Sequence, residues 1–249
     1  MIDVKNFRNF GHLRAILHSP ITIVKASSGW GKTNFLAALR CAFDAVAVKE
    51  LDRPYGIQPM RCEIQAICTV DGWPSASTSR RATFPSMRQS TNRIGMMFDQ
   101  YIYADALNIS CDYCRDPNVS RNARTLRATV SFRTWLDEQH VHTSRMFYEF
   151  MASVVGDISD DARFVSYVFY TLFQSHNMVS PELDEVETLL TTPTLLLVDD
   201  LERVCSTATL IKLCSLFPSL VVVATTTETP RGMSQYASAN RLGSIVNVV

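Results

Sequence analysis

A chain of 249 residues with 47% hydrophobic side chains can bury one sizeable core or two smaller lobes without disulfides or metals for support. Its formal net charge is zero, which argues against non-specific coating of nucleic acid, and no apolar run approaches the roughly 18 to 20 residues that span a bilayer. The 7 cysteines are scattered from Cys41 to Cys214, unlike the even, closely spaced framework of a small secreted domain, so free thiols in a reducing compartment such as the cytoplasm are expected.

The opening residues predict short strands: "IDVKNF", then "HLRAIL", then "ITIVKA", a β-branched run suited to a buried strand, with turns at "NFGH" and "HSP". After "SSGWG", the stretch "KTNFLAALRCAFDAVAV" places Phe35, Leu36, Leu39 and Phe43 near helical spacing with no Pro or Gly to interrupt it. "MRCEIQAICTV" alternates as a strand and ends at "DGWP". Residues 74–93, rich in Ser, Thr, Arg and Pro, read as an exposed loop or insert. Two amphipathic helices follow over 144–176, broken at Gly156, the second opened by "SDDAR" with a cap and first-turn acids. "TTPTLLLVDD" and "SLVVVATTTETP" then carry continuous apolar strands with the helix "TATLIKLCSLF" between them, and "GSIVNVV" closes the chain as a strand. Parallel strands buried on both faces and joined by helices predict an α/β fold with a mostly parallel sheet flanked by helices and a small helical lobe. Residues 1–95 and 181–249 are expected to form the two parts of one lobe, with 96–180 as a basic, helical insert or second lobe.

Strand, glycine turn and helix in that order make a phosphate-binding loop. Backbone N–H groups wrap the β-phosphate, an ammonium reaches the β- and γ-phosphates, and a hydroxyl faces Mg²⁺. Ser28, Gly29, Trp30, Gly31, Lys32, Thr33 and Asn34 are the candidate nucleotide-binding residues, with Lys32 the ammonium and Thr33 the hydroxyl. The general pattern has Gly where Ala26 stands. Downstream, the buried strand "TLLLV" leads to Asp199, a candidate Mg²⁺ carboxylate acting through water beside Thr33, and to Asp200, which would orient or deprotonate attacking water. The catalytic candidates are therefore Lys32 and Asp200, the metal candidates Thr33 and Asp199, and the cofactors ATP and Mg²⁺.

"VKNFRNFGHL" followed by "ITIVKASSGWGKTNFLAAL" resembles the start of the RecF-like and SMC-like ABC-type ATPases, in which "L-x-NFR-x-F/Y" precedes "G-x-N-G-x-GK-[ST]-N-L-L-x-A". "PTLLLVDDLERV", a helix and "LVVVATTTETP" are similar to the Walker B, D-loop and switch region of RecF. The resemblance spans roughly residues 1 to 45 and 190 to 230. It implies a P-loop ABC-type head, Lys32 and Thr33 at the phosphates and metal, Asp199 on the metal and Asp200 as the catalytic carboxylate. It further implies weak ATP hydrolysis in DNA transactions by an ATP-dependent homodimer, or with a partner subunit supplying the signature motif. The nearest signature candidate is "MVSPELDEVETLL", where Pro181 after Ser180 offers no N–H; the switch position holds Thr226 or Thr227 and no His; Gln65 is a candidate Q-loop residue. A viral or plasmid DNA-packaging motor, with Arg231 or Arg241 as finger, is a second reading. A nucleotide-bound structural or regulatory subunit with little turnover is a third.

Charge is unevenly spread. Arg80 to Arg133 holds nine arginines and four acidic residues, Thr134 to Ser206 three arginines and thirteen acids. The basic segment is either a solvated face or a surface for a polyanion such as DNA, and Arg121, Arg124 and Arg127 would share one helix face. Cys111 and Cys114, with His140 and His142, have spacing compatible with zinc, though thiols in a turn are the plainer reading.

Overall fold

The computed structural model describes residues 1–17, 20–43, 61–68, 76–84, 88–94, 98, 100–105, 108–113, 128–131, 164–165, 168–169, 171, 191–229 and 244–247. The chain divides into two compact units that interleave in sequence. One comprises Met1–His18, Ser28–Asp99 and Cys114–Ala123; the other comprises Ser19–Ser27, Gln100–Tyr113 and Arg124–Val249.

The first unit is a five-stranded antiparallel sheet in the order β2-β1-β4-β5-β6, formed by β1 (Ile2–Phe7), β2 (Phe10–Ala15), β4 (Arg61–Cys68), β5 (Ala76–Thr83) and β6 (Arg88–Ile94). Period-two alternation buries Ile2 and Val4 of β1, and Cys62, Ile64 and Ala66 of β4, on one face. Helix α1 (Lys32–Phe43) packs against β1, β4 and β5. It buries Phe35, Leu36, Leu39 and Phe43, the positions that helical periodicity selects, and Phe43 meets Phe98 edge-on with ring centroids 5.1 Å apart.

The second unit holds a seven-stranded sheet in the order β12-β3-β11-β10-β7-β8-β9. Its strands are β3 (Ile21–Lys25), β7 (Gln100–Ala104), β8 (Asn108–Tyr113), β9 (Ala128–Ser131), β10 (Thr194–Val198), β11 (Leu220–Thr226) and β12 (Ser244–Asn247). The first five in that order run parallel, whereas β8 and β9 are antiparallel additions. β10 is buried at all five positions, as expected of a parallel strand covered on both faces. Ile21, Ile23, Leu196, Val198, Val222 and Ala224 pack with Leu210 and Leu213 of α3 (Thr207–Leu216), with Leu201 of α2 (Leu201–Val204), and with the helical residues Phe164, Val165, Val168 and Phe169. Ser206 caps α3 by accepting from the Thr209 N–H at 3.2 Å.

Two expectations change. The mostly parallel sheet is confined to the second unit, and an equally extensive antiparallel layer forms the first. Much of the stretch 74–93 expected as a loop is the β5–β6 pair. Its Ser, Thr and Arg side chains alternate across the pleat, and the buried face needs only Ala76, Thr78, Arg80 and Ala82. The Gly156 break, the Arg121–Arg127 series, Cys114, His140, His142, Ser180, Pro181, Arg231 and Arg241 lie outside the described residues.

Candidate functional site

In the first unit the glycine turn is built by two backbone devices. Gly29 and Gly31 take φ of 83° and 105°, conformations that L side chains rarely adopt, and the Phe35 N–H donates to the Gly31 carbonyl at 2.8 Å, making Gly31 the N-cap of α1. Lys32, Thr33 and Asn34 form the first turn of α1, and the N-terminal turn of a helix suits an anion. Lys32 is buried, Thr33 exposed, and Ser28 and Gly29 exposed.

A clamp that motif reading missed holds this turn. Arg8 and Asn9 form the tip of the β1–β2 hairpin, closed by the Phe7–Phe10 pair, with Arg8 at φ 48°. Asn9 Nδ2 donates to the Trp30 carbonyl at 2.9 Å, Asn34 Nδ2 donates to Asn9 Oδ1 at 2.6 Å, and Arg8 Nη1 donates to Asn34 Oδ1 at 3.0 Å. Trp30 lies against Phe10 and Phe35, with centroids 5.2 and 6.1 Å away. Asn34, expected as a nucleotide-binding residue, is here the link between turn and hairpin tip. The signal for Arg8 and Asn9 was present in "NFRNF", but only folding pairs that tip with a turn more than twenty residues later.

In the second unit, β3 and β10 end on the same edge of the parallel sheet with only β11 between them, so their carboxyl ends lie about 10 Å apart at ordinary strand spacing. Ala26 continues the β3 ladder, its N–H donating to the Thr226 carbonyl at 3.0 Å, and the next residues enter the glycine turn. Asp199, only 7% exposed, accepts from Thr225 Oγ1 at 2.8 Å on one oxygen and from the Tyr103 hydroxyl at 3.1 Å on the other. Burial, and after it the Asp199 charge, pushes the Tyr103 hydroxyl well above its ordinary value, so it stays a donor throughout the working pH range. Asp200 occupies the left-handed region at φ 50°, ψ 64°; its N–H donates to Thr225 Oγ1 at 3.3 Å and its carbonyl accepts from the Arg203 N–H at 2.8 Å.

The switch-like threonines part company. Thr226 Oγ1 bonds within its own turn, to Glu228, whereas the Thr227 N–H and hydroxyl both donate to Glu202 on α2. Burial acts to raise the Glu202 carboxyl, but the Thr227 hydroxyl and backbone N–H groups hold it below its ordinary value. Gln65 lies within β4, exposed, its amide donating to Glu63 at 3.1 Å. Among the described residues no group of three or more His, Cys, Asp or Glu side chains could hold a metal, and Cys41, Cys62, Cys205 and Cys214 are in no disulfide. Burial pushes the Cys214 thiol up to about 12. No helix among the described residues is long and apolar enough to cross a membrane.

The solvent face of the antiparallel sheet is a second feature. Cross-strand pairing sets His12, Lys5, Glu63, Arg81 and Ser90 in one row, Arg14, Asp3, Gln65, Ser79 and Asn92 in the next, and Arg61, Thr83 and Arg88 in a third. Both acids have cationic or imidazole partners: Glu63 takes Arg81 Nε at 2.7 Å, whose hydrogen bond holds the carboxyl below its ordinary value, and Asp3 lies 3.3 Å from His12. Arg61 and Arg88 have no carboxylate partner among the described residues.

No family model matches the chain, and no curated protein matches it. Among solved structures it is similar to the recombination mediator protein RecF-ATP in the RecFOR pathway, with 9% identity over 92% of each chain and a TM-score of 0.47. A RecF-ATPrS structure from the same pathway is similar at 10% identity over 92% of each chain, with a TM-score of 0.44.

Proposed function

We propose that the chain is a RecF-like ATPase that binds ATP with Mg²⁺, hydrolyses it slowly and acts in DNA transactions. The observation that carries the reading is local: a turn with two positive-φ glycines opens a lysine-threonine helix directly after β3 in the sequence. In this reading Ser28 to Asn34 would cradle the phosphates, Lys32 would supply the ammonium for them and Thr33 a hydroxyl for the metal, while Asp199 is the candidate metal carboxylate of the second unit. Bound Mg²⁺ would neutralise charge on the β- and γ-phosphate oxygens. Asp200 orients the attacking water and receives its proton. Closure against a second copy or a partner subunit completes the γ-phosphate contacts. Titration of the full chain with a fluorescent ATP analogue tests the first step. Saturable binding below millimolar concentration, displaced by ATP, supports it; a flat titration with and without Mg²⁺ overturns it.

The cationic sheet face supports the DNA half of the proposal. It carries Lys5, Arg14, Arg61, Arg81 and Arg88 against Asp3 and Glu63, interleaved with Ser, Thr, Asn and Gln side chains of the kind that contact phosphates and sugars. No Phe, Tyr or Trp ring stands among these described positions to stack a base, so contacts would go to a duplex backbone and be indifferent to sequence. Replacing Lys5, Arg61 and Arg88 together by Gln is expected to lower the slope of log affinity against log salt by about 2 to 3 for duplex DNA. An unchanged slope would remove this face from the proposal.

A further inference from the structure

Asp199 ends the central strand β10, and each neighbouring strand sends it one hydroxyl: Thr225 from β11 to Oδ1 and Tyr103 from β7 to Oδ2. The backbone fixes both donors. Asp199 N–H donates to the Ala104 carbonyl at 2.8 Å, and Tyr103 and Val223 both stand in register with Leu197, two residues before the carboxylate. Thr225 spends its proton on Asp199 and its lone pair on the Asp200 N–H, so one side chain fixes both acids. The Tyr103 hydroxyl makes no other hydrogen bond among the described residues. Packing alone would be served by a phenyl ring at this half-buried position, so the oxygen is explained by the carboxylate it touches.

We infer that Tyr103 is a positioning residue that, with Thr225, fixes the plane of the Asp199 carboxylate for a divalent cation; this rests on the ATPase reading. The two donors take at least two of the carboxylate's roughly four acceptor directions, one on each oxygen, and so set its plane. Partners of this kind around a ligating carboxylate set its orientation and hence metal affinity, without touching the nucleotide.

The test uses the full chain with Mn²⁺ as the probe and a non-hydrolysable ATP analogue. Free Mn²⁺ is followed by electron paramagnetic resonance, and analogue binding is measured separately in EDTA by fluorescence. Tyr103→Phe is expected to weaken Mn²⁺ binding to the protein-analogue complex about tenfold while leaving analogue affinity in EDTA and the melting temperature unchanged. Thr225→Val is expected to act in the same direction. Unchanged Mn²⁺ affinity in Tyr103→Phe overturns the inference and spares the ATPase reading. An equal fall in EDTA and Mn²⁺ affinities overturns it too, because Tyr103 would then be supporting the fold. If the unmodified chain binds no analogue under either condition, the ATPase reading itself fails, and the inference with it.

Discussion

Gly31→Ala is expected to cost about a hundredfold or more in MgATP affinity while leaving far-UV circular dichroism unchanged. Two penalties coincide at this position. The backbone stands at φ 105°, where an alanine is strained by about 1 to 3 kcal/mol. A Cβ there would also lie 2.5 Å from Asn9 Nδ2 and 2.8 Å from Asn9 Oδ1. An unattached amide would swing aside at little cost, but Asn9 is held at both ends, by the Trp30 carbonyl and by Asn34. Relief therefore requires breaking the clamp or flattening the turn, and either removes the backbone N–H groups from their anion-binding arrangement. Together the penalties reach roughly 3 kcal/mol, which is about a hundredfold in a binding constant. Gly29→Ala is the internal comparison: φ is 83° but a Cβ there meets nothing within 4 Å, so only the conformational penalty applies and the loss should be smaller. Asn9→Ala alone should also lose affinity, because it opens the clamp, and the double variant Asn9→Ala/Gly31→Ala should lose less than the sum of the two, because the steric penalty goes with the amide. Lys32→Ala, which leaves the turn intact and removes only the ammonium, should lose affinity whatever stands at Asn9. If Gly31→Ala binds MgATP as tightly as the unmodified chain, the turn is not a phosphate cradle.

The sequence made this turn legible because its information is local: β3, the two glycines and α1 are contiguous, and burial at β10 follows from the apolar run before Asp199. What was not legible arrives through lateral pairing. Tyr103 joins the site only because β7 lies beside β10, and nothing within "QYIYAD" announces that neighbour. Thr225 was one threonine in a run of three; strand phase sends Thr225 to Asp199 while Thr227 binds Glu202. The 74–93 stretch misled because strand propensity reflects burial on one face as much as residue type. Small side chains suffice under α1, so the hydrophobic signal was thin. The segment's arginines also divide by this alternation: Arg80 is buried while Arg81 reaches the cationic face, a distinction that counting charges along the chain could not make.

Asp200→Asn separates a hydrolytic machine from a nucleotide-bound scaffold, and the backbone decides why asparagine is the right replacement. Asp200 stands in the left-handed region at φ 50°, ψ 64°, held by its N–H to Thr225 and its carbonyl to the Arg203 N–H. Asparagine visits that region readily, whereas alanine would add about 1 to 2 kcal/mol of strain and disturb Thr225, and through it Asp199. Asn also keeps the shape and an acceptor oxygen while removing the basic group. The variant should therefore retain MgATP affinity within about twofold and lose at least a hundredfold in steady-state phosphate release, the scale typical of a positioned general base. Binding retained with turnover lost would also favour accumulation of the ATP-closed assembly, visible as a larger species by size-exclusion chromatography with MgATP and absent with MgADP. Equal phosphate release by the unmodified chain, Asp200→Asn and Lys32→Ala would instead mean that the carboxylate serves the loop after β11 structurally. The nucleotide would then be a structural or regulatory ligand, because neither a base nor a phosphate-bound ammonium would be limiting any chemistry.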